Sequence, residues 1–174
     1  MGENERLYVE DAFKTNWVAP LGPNVDAFEK QLADRLNVKS VLSLSSGTAA
    51  LHLALFILGV KHGDSVICQS FTFGASAFPI QYLGANPVFV DSEAETWNLD
   101  PFLLERAIQD EEAKGKKPAA IIVVHLYGVP AKMDEILAIA NRYNIPVVED
   151  AAEALGSTYH NKPCGSLGTF GILS

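Results

Sequence analysis

The sequence has few of the features that mark secreted, membrane-bound or metal-binding proteins. Its two cysteines, Cys68 and Cys164, show neither metal-ligand spacing nor a disulfide framework. The longest apolar run, residues 49–60, contains His52 and is too short to span a bilayer. The polar, acidic start at residues 1–6 is unlike a secretory signal. We therefore expect a cytoplasmic protein with no metal site and no membrane association.

Positive charge is also scarce. Among 174 residues, 13 are basic and 21 are acidic, which gives a net charge of -8. The nearest candidate for a basic cluster, residues 114–117, is short and interrupted, so no nucleic-acid partner is expected. Hydrophobic residues make up 48% of the chain and charged residues 20%, as is typical of a folded globular protein.

Short apolar runs alternate with helical patterns along the chain. Strands separated by helices at this spacing predict an α/β fold, with three α/β/α layers and a mainly parallel sheet in one layered body. Asn24 is expected to cap a helix with one apolar face, and Asp100 and Pro101 to start another. Residues 157–163 resemble a hairpin with its turn at 161–162. The predicted strands are residues 39–44, 65–69, 87–90, 120–124, 145–148 and 169–174, and the other predicted helices are residues 7–14, 49–58, 74–83 and 133–143.

The run at residues 145–148 reads as a strand buried on both faces, and it ends at Glu149 and Asp150. Open α/β sheets bind ligands beyond the carboxyl ends of their strands, so Asp150 lies where such a fold places its chemistry. A buried carboxylate needs a cationic or hydrogen-bonding partner. The protonated ring nitrogen of pyridoxal phosphate would fit; alternatively, Asp150 caps the next helical turn.

Two other stretches at strand ends are candidates for ligand contacts. At residues 45–50, Gly47 would let the backbone approach an anion, and the N–H groups of the helix that follows would face it. The hydroxyl of Thr48 could add a donor, although a simple N-cap explains the same residues. Neither the Walker pattern nor the dinucleotide glycine fingerprint occurs here.

At residues 71–76, Phe73 is followed by three small residues, so its ring could stack on a flat ligand or could belong to the core. His125 and Tyr127 follow another strand, where a lone histidine is more often a hydrogen-bonded structural residue than a catalyst.

In this chain order, an anion cradle, an aromatic residue with small neighbours and a strand-end Asp resemble the large domain of fold-type I pyridoxal phosphate enzymes. The chain is most similar to the DegT/DnrJ/StrS family of sugar aminotransferases. The resemblance covers nearly the whole chain and is carried by residues 20–22 with 28–29, 46–51, 71–73, 125–128, 149–156 and 165–168.

The resemblance implies a role for each matching residue. The backbone N–H groups of Gly47 and Thr48 would hold the cofactor phosphate. Phe73 would stack on the pyridine ring, Asp150 would pair with its nitrogen, and Glu153 would lie near its phenolic oxygen.

Ser174 matches the serine of the family that reaches the phosphate. The Schiff-base lysine of the family follows shortly after that serine, so residues 1–174 are expected to be the N-terminal portion of an incomplete large domain that is inactive alone. Some relatives have a histidine in place of that lysine and perform deoxygenation.

The resemblance further implies an aminotransferase that uses glutamate and alternates between pyridoxal phosphate and pyridoxamine phosphate (PMP). Its substrate would be a nucleotide-linked keto sugar for surface polysaccharide or glycan biosynthesis. Residues 16–22 and 149–156 look closest to enzymes that aminate C4 of UDP-4-keto-6-deoxy-N-acetylhexosamines. A C3 aminotransferase, a deoxygenase and a non-catalytic cofactor-binding relative remain alternatives. A homodimer is expected from the family and from the apolar helix at residues 49–58.

Overall fold

Five short strands form a parallel sheet in the computed structural model, which describes residue 2 and residues 4–174. The strands are β1 (Ser65–Gln69), β2 (Asn86–Val90), β3 (Ala120–Val124), β4 (Val147–Asp150) and β7 (Phe170–Ile172). They lie in the spatial order β2-β1-β3-β4-β7, and every neighbouring pair is parallel. Every residue of β1, β3 and β4 is buried, which explains their nearly continuous apolar sequences. The predicted α/β class and parallel sheet are confirmed.

Helices cover both faces of the sheet. On one face, α3 (Gly47–Ile57) and α4 (Phe78–Tyr82) contribute Leu51, Leu55 and Ile80 to a core that includes Ile122 of β3. On the other face, α5 (Pro101–Ala113) and α6 (Met133–Tyr143) pack against Ile121 and Val123 of the same strand. Successive residues of β3 thus enter opposite cores, as the period of two requires. The three layers follow from this alternation.

The contacts between residues divide the chain into two compact units, one up to Ser43 and one from Leu44 onward. The first unit contains α1 (Asn4–Lys14) and α2 (Pro23–Leu36). The sheet and its helices lie entirely in the second unit, which also holds the cavity described below.

Several predicted boundaries were wrong. The helix predicted at 7–14 begins earlier, at Asn4. The predicted cap Asn24 lies inside α2, which begins at Pro23 after Gly22 at the N-cap position. Residues 39–44 form no strand, since no described strand pairs with them. A stretch of this kind becomes a strand only where a partner strand supplies hydrogen bonds.

The segment predicted as one helix at 74–83 is a 3₁₀ turn at Gly74–Ser76 followed by α4. The predicted hairpin exists as β5 (Thr158–Tyr159) and β6 (Lys162–Pro163), but its turn is at residues 160–161, both of which have positive φ. The predicted start of α5 is correct, because Asp100 Oδ1 accepts hydrogen bonds from the amides of Phe102 and Leu103. No helix in the described part of the chain has both the length and the apolar composition needed to cross a bilayer.

Candidate functional site

A cavity of about 540 Å³ opens at the carboxyl ends of the central strands. Its lining comes from the start of α3, the segment after β1, and the ends of β3, β4 and β7. The structure thereby brings together all six site residues that the sequence predicts, which are Gly47, Thr48, Phe73, Asp150, Glu153 and Ser174. Their roles toward a cofactor stay predictions.

Asp150, the last residue of β4, is 7% exposed. Its Oδ2 accepts a hydrogen bond of 2.6 Å from the hydroxyl of Ser76, and its Oδ1 accepts only a long bond of 3.4 Å from the amide of Ala152. Residues 151–157 are described and form turns, so Asp150 does not cap a helix there. None of the ion pairs formed by the described residues includes Asp150. A buried carboxyl group without a cationic partner fits a protonated ring nitrogen.

The first turn of α3 reaches the cavity at Gly47 and Thr48. Ser46 is the N-cap, and its Oγ accepts a hydrogen bond of 3.1 Å from the amide of Ala49. The N-cap interpretation is therefore correct for Ser46. A serine cap satisfies one of the free amides of a helix start and leaves others, including those of Gly47 and Thr48, without an intrahelical acceptor. This arrangement is suited to an anion.

The side chain of Phe73 is 83% exposed, so the alternative that it belongs to the core is wrong. Neighbouring Phe71 is 47% exposed and makes an edge contact with Trp97, with 5.9 Å between ring centroids. The ring of Phe73 lies at the cavity and is free to cover a flat ligand.

Glu153 is tied to the turn that follows β3. Its Oε2 accepts a hydrogen bond of 2.8 Å from the amide of Tyr127, whose own ring is 77% exposed and lines the cavity. A β-carbon on Gly128 would lie 2.8 Å from the carbonyl oxygen of Glu153, so these two segments pack backbone against backbone.

His125 belongs to the structure beneath the cavity, as the sequence predicts for a lone histidine there. It is fully buried, and its Nδ1 accepts a hydrogen bond of 3.1 Å from the amide of Ala131. Its Nε2 is therefore the protonated nitrogen, and it donates to Glu149 Oε2 at 2.9 Å. The same carboxylate accepts three amides of the segment before β7, those of Gly165, Leu167 and Gly168.

Burial favours the neutral form of Glu149, but the bonds from His125 and from the amides of Gly168 and Gly165 outweigh it and hold the pKa of Glu149 below the ordinary value. Glu149 thus joins the ends of β3 and β4 to the segment that leads into β7.

Four polar residues that the sequence analysis did not single out also shape the cavity: Gln69, Thr72, Ser76 and Asn98. Gln69 is fully buried; it donates to the carbonyl of Phe71 at 2.9 Å and accepts from the amide of Val124 at 3.2 Å. Asn98 likewise joins the amide of Leu126 to the carbonyl of Val129, each at 2.9 Å. A polar residue at the end of a buried strand was a detectable signal for Gln69. Ser76 and Asn98 gave no such signal, because Asp150, Leu126 and Val129, to which they bond, are distant in sequence.

Neither cysteine is a candidate nucleophile. Burial, and then the charge of Asp150, raises the pKa of Cys68 to about 12. Burial, and then the charge of Glu149, raises the pKa of Cys164 to about 11. Both thiols are free, buried and protonated at neutral pH.

Comparison with known protein families gives a match over residues 1–174, to the DegT/DnrJ/EryC1/StrS aminotransferase family. The chain is 55% identical, over 174 residues, to EpsN of Bacillus subtilis (strain 168), which is provisionally named a pyridoxal phosphate-dependent aminotransferase; the match covers 100% of this chain and 45% of that protein. It is 46% identical over 171 residues to the GDP-perosamine synthase of Caulobacter vibrioides, covering 98% of this chain and 44% of the synthase.

A third relative is the UDP-2-acetamido-2-deoxy-3-oxo-D-glucuronate aminotransferase of Pseudomonas aeruginosa, at 45% identity over 154 residues, or 88% of this chain and 41% of the relative. The chain thus spans less than half the length of these relatives.

Solved structures share the fold. An aminotransferase from Psychrobacter cryohalolentis superposes with a TM-score of 0.89 at 34% identity, covering 97% of this chain and 41% of the other. A second structure is that of the GDP-4-keto-6-deoxy-D-mannose-3-dehydratase of E. coli, solved with bound hydrated pyridoxal phosphate. It superposes with a TM-score of 0.87 at 28% identity, covering 97% of this chain and 43% of the dehydratase.

Proposed function

The chain belongs to the DegT/DnrJ/EryC1/StrS aminotransferase family, whose members depend on pyridoxal phosphate, and we propose that the protein carrying it moves an amino group from glutamate to a nucleotide-linked keto sugar. The buried, cation-free carboxyl group of Asp150 in the cavity is the observation that carries the proposal. In this proposal, residues 1–174 are the N-terminal portion of the cofactor-binding large domain, and a lysine shortly after Ser174 completes the site.

Each residue around the cavity would have a separate task. The amides of Gly47 and Thr48 and the hydroxyl of Ser174 would hold the phosphate, and Phe73 would cover one face of the ring. Asp150 would keep a proton on the ring nitrogen, and Glu153 would lie near the phenolic oxygen. The bound cofactor supplies the electron sink that stabilises negative charge as the substrate proton leaves.

For the sugar, we propose C4 of a UDP-4-keto-6-deoxy-N-acetylhexosamine, in the synthesis of a surface polysaccharide. The similarity of residues 16–22 and 149–156 to such enzymes supports this choice. The relatives are named for a GDP-linked product and for a UDP-linked 3-oxo substrate. A nucleotide-sugar acceptor is common to both names, whereas the nucleotide and the position of the oxo group are not.

A cytoplasmic homodimer is also part of the proposal. Phe56 and Ile57 on α3 and Tyr82 on α4 expose 65%, 58% and 60% of their surface, which supports an apolar contact with a second subunit. Sedimentation of the complete protein as a monomer at every concentration would contradict this part.

The central test compares Asp150→Asn with the wild type of the complete protein. We expect the variant to keep useful cofactor content, because the phosphate contacts are unchanged. Its half-reaction with glutamate should slow by about 100-fold or more, because the amide cannot hold the ring proton by charge pairing. Absorbance gives both quantities, and near-normal rates would show that Asp150 has no catalytic role.

The acceptor is identified with a panel of UDP-4-keto-6-deoxy-N-acetylglucosamine, GDP-4-keto-6-deoxymannose and a UDP-3-oxo sugar.

Structural similarity to the E. coli dehydratase supports one second candidate, a deoxygenase. A histidine in place of the lysine after Ser174, together with loss of the sugar hydroxyl instead of amination, would favour that candidate.

A further inference from the structure

Asp150 is held by a chain of two hydroxyl groups. The Oγ of Ser76 lies 2.6 Å from Asp150 Oδ2, and Thr72 Oγ1 lies 2.8 Å from the same Ser76 Oγ. Ser76 is 1% exposed, so water cannot easily replace this bond. Both hydroxyl residues line the cavity with Asp150.

The direction of these two hydrogen bonds follows from the number of protons that the two hydroxyl groups carry. An ionised carboxylate only accepts hydrogen bonds, so the single hydroxyl proton of Ser76 points at Asp150. The oxygen of Ser76 then accepts the proton of Thr72. Reversing either bond would leave Oδ2 facing a lone pair in a buried site, which is costly.

The same turn carries Phe73. The amide of Ser76 donates a 3.0 Å hydrogen bond to the carbonyl of Phe73, which closes the 3₁₀ turn at Gly74–Ser76. One short turn therefore presents an exposed aromatic ring to the cavity and a buried hydroxyl to the carboxyl group.

We infer that Ser76 is a positioning residue, whose hydroxyl fixes the Asp150 carboxyl group in the orientation that meets the ring nitrogen of the cofactor, with Thr72 orienting that hydroxyl. Oδ2 is engaged by Ser76, while Oδ1 has only the 3.4 Å bond from Ala152 and is free for the ring nitrogen. Without Ser76, the carboxyl group rotates about its last torsion, which is broad for Asp. This inference rests on the proposed function, since it concerns the same cofactor.

Binding of two ligands that differ only at the ring nitrogen tests the inference. PMP has this nitrogen and its 1-deaza analogue has a carbon there, and neither needs a lysine to bind. For wild type, we expect PMP to bind about tenfold or more tightly than the analogue, as for one charge-assisted hydrogen bond. In Ser76→Ala, this ratio should fall at least about threefold, while the dissociation constant of the analogue stays the same.

Two further comparisons separate positioning from loss of structure. Ser65→Ala removes an equally buried serine, 2% exposed, at the opposite end of β1, and should leave the ratio unchanged. Thr72→Val should lower the ratio less than Ser76→Ala does, and Thr72→Ser, which keeps the hydroxyl, should restore it.

Each contrary result has its own meaning. If Ser76→Ala left the ratio of the two affinities unchanged, including by weakening both ligands equally, the role of Ser76 would be overturned and that of Asp150 would remain intact. If wild type bound both ligands equally, the assignment of Asp150 itself would be wrong, and the inference about Ser76 would fall with it.

Discussion

Gly47 and Ser174 pack so closely that a β-carbon added to Gly47 would lie 2.8 Å from Cβ of Ser174. The first residue of α3 thus lies against the serine that follows β7, although the two residues are far apart in the sequence. The absence of a side chain at Gly47 makes room for Ser174 beside the free amides of the helix.

Replacing Gly47 with Ala should therefore disturb phosphate binding. The added carbon forces Ser174 away from the helix start, so PMP should bind about tenfold more weakly or worse. Pyridoxamine, which has no phosphate, should lose little affinity. Titration with both ligands measures the difference.

Gly59→Ala provides the control for this variant. It strains a left-handed position at φ 80 just beyond the other end of α3, where the added carbon meets nothing within 4 Å. Stability should fall while PMP affinity stays the same, and equal losses of PMP affinity in both variants would contradict the role of Gly47.

Phe73→Ala should separate binding from stability. The ring is 83% exposed, so its removal should change the free energy of unfolding by no more than about 0.5 kcal/mol. A lost stacking contact of about 0.5–1.5 kcal/mol should weaken PMP binding by roughly two- to tenfold. Phe102→Ala, which removes a ring 74% exposed on α5, should change neither quantity. A large loss of stability in Phe73→Ala would show that the ring serves the core after all.

Glu149→Gln should destabilise the protein strongly. All four partners of this buried carboxylate are donors, so the amide nitrogen of Gln would face a donor wherever it lies. We expect a loss of about 3–5 kcal/mol in denaturant unfolding. The control is Glu105→Gln, which removes a partly exposed ion pair with Arg142 and should cost less than about 1 kcal/mol. Similar losses in the two variants would contradict this account of Glu149.

Glu93 should make stability depend on pH. Burial alone would raise its pKa, but the Thr96 hydroxyl, the amides of Glu95 and Thr96, and Lys132 lower it to about 2. Because the folded pKa lies below the ordinary value of about 4.3, Glu93 stabilises the fold above that value. This stabilisation is lost as pH falls from about 4.3 toward 2.

The expected result is that Glu93→Gln has a lower melting temperature than wild type at pH 7, and that the gap narrows as the pH falls through this window. Glu95→Gln is the matched control, because Glu95 is 77% exposed and its side chain pairs only with Lys132 among the described residues. The melting temperature of Glu95→Gln should stay close to that of wild type over the whole pH range. A constant gap for Glu93→Gln would show that its charge is not responsible.

The sequence alone determined the layered fold and the edge where the site lies. β3 and β4 are buried on both faces, and such strands need continuous apolar residues, so they can be recognised locally. Parallel strands deliver their carboxyl ends to one edge, which is why Asp150 at the end of β4 and Phe73 after β1 could be placed together from the sequence. Asp100 could be identified as a cap because the amides that donate to its side chain are only two and three residues further along the sequence.

Only the tertiary structure decided what depends on distant partners. Residues 39–44 were predicted as a strand, but no neighbouring strand pairs with them. Whether Phe73 is buried or exposed likewise depends on what packs against its ring. Ser76 and Asp150 are 74 residues apart, and a hydroxyl that donates to a carboxylate has no local signature. Local patterns report which face of an element is apolar, whereas a hydrogen bond between two elements exists only once packing has brought their ends together.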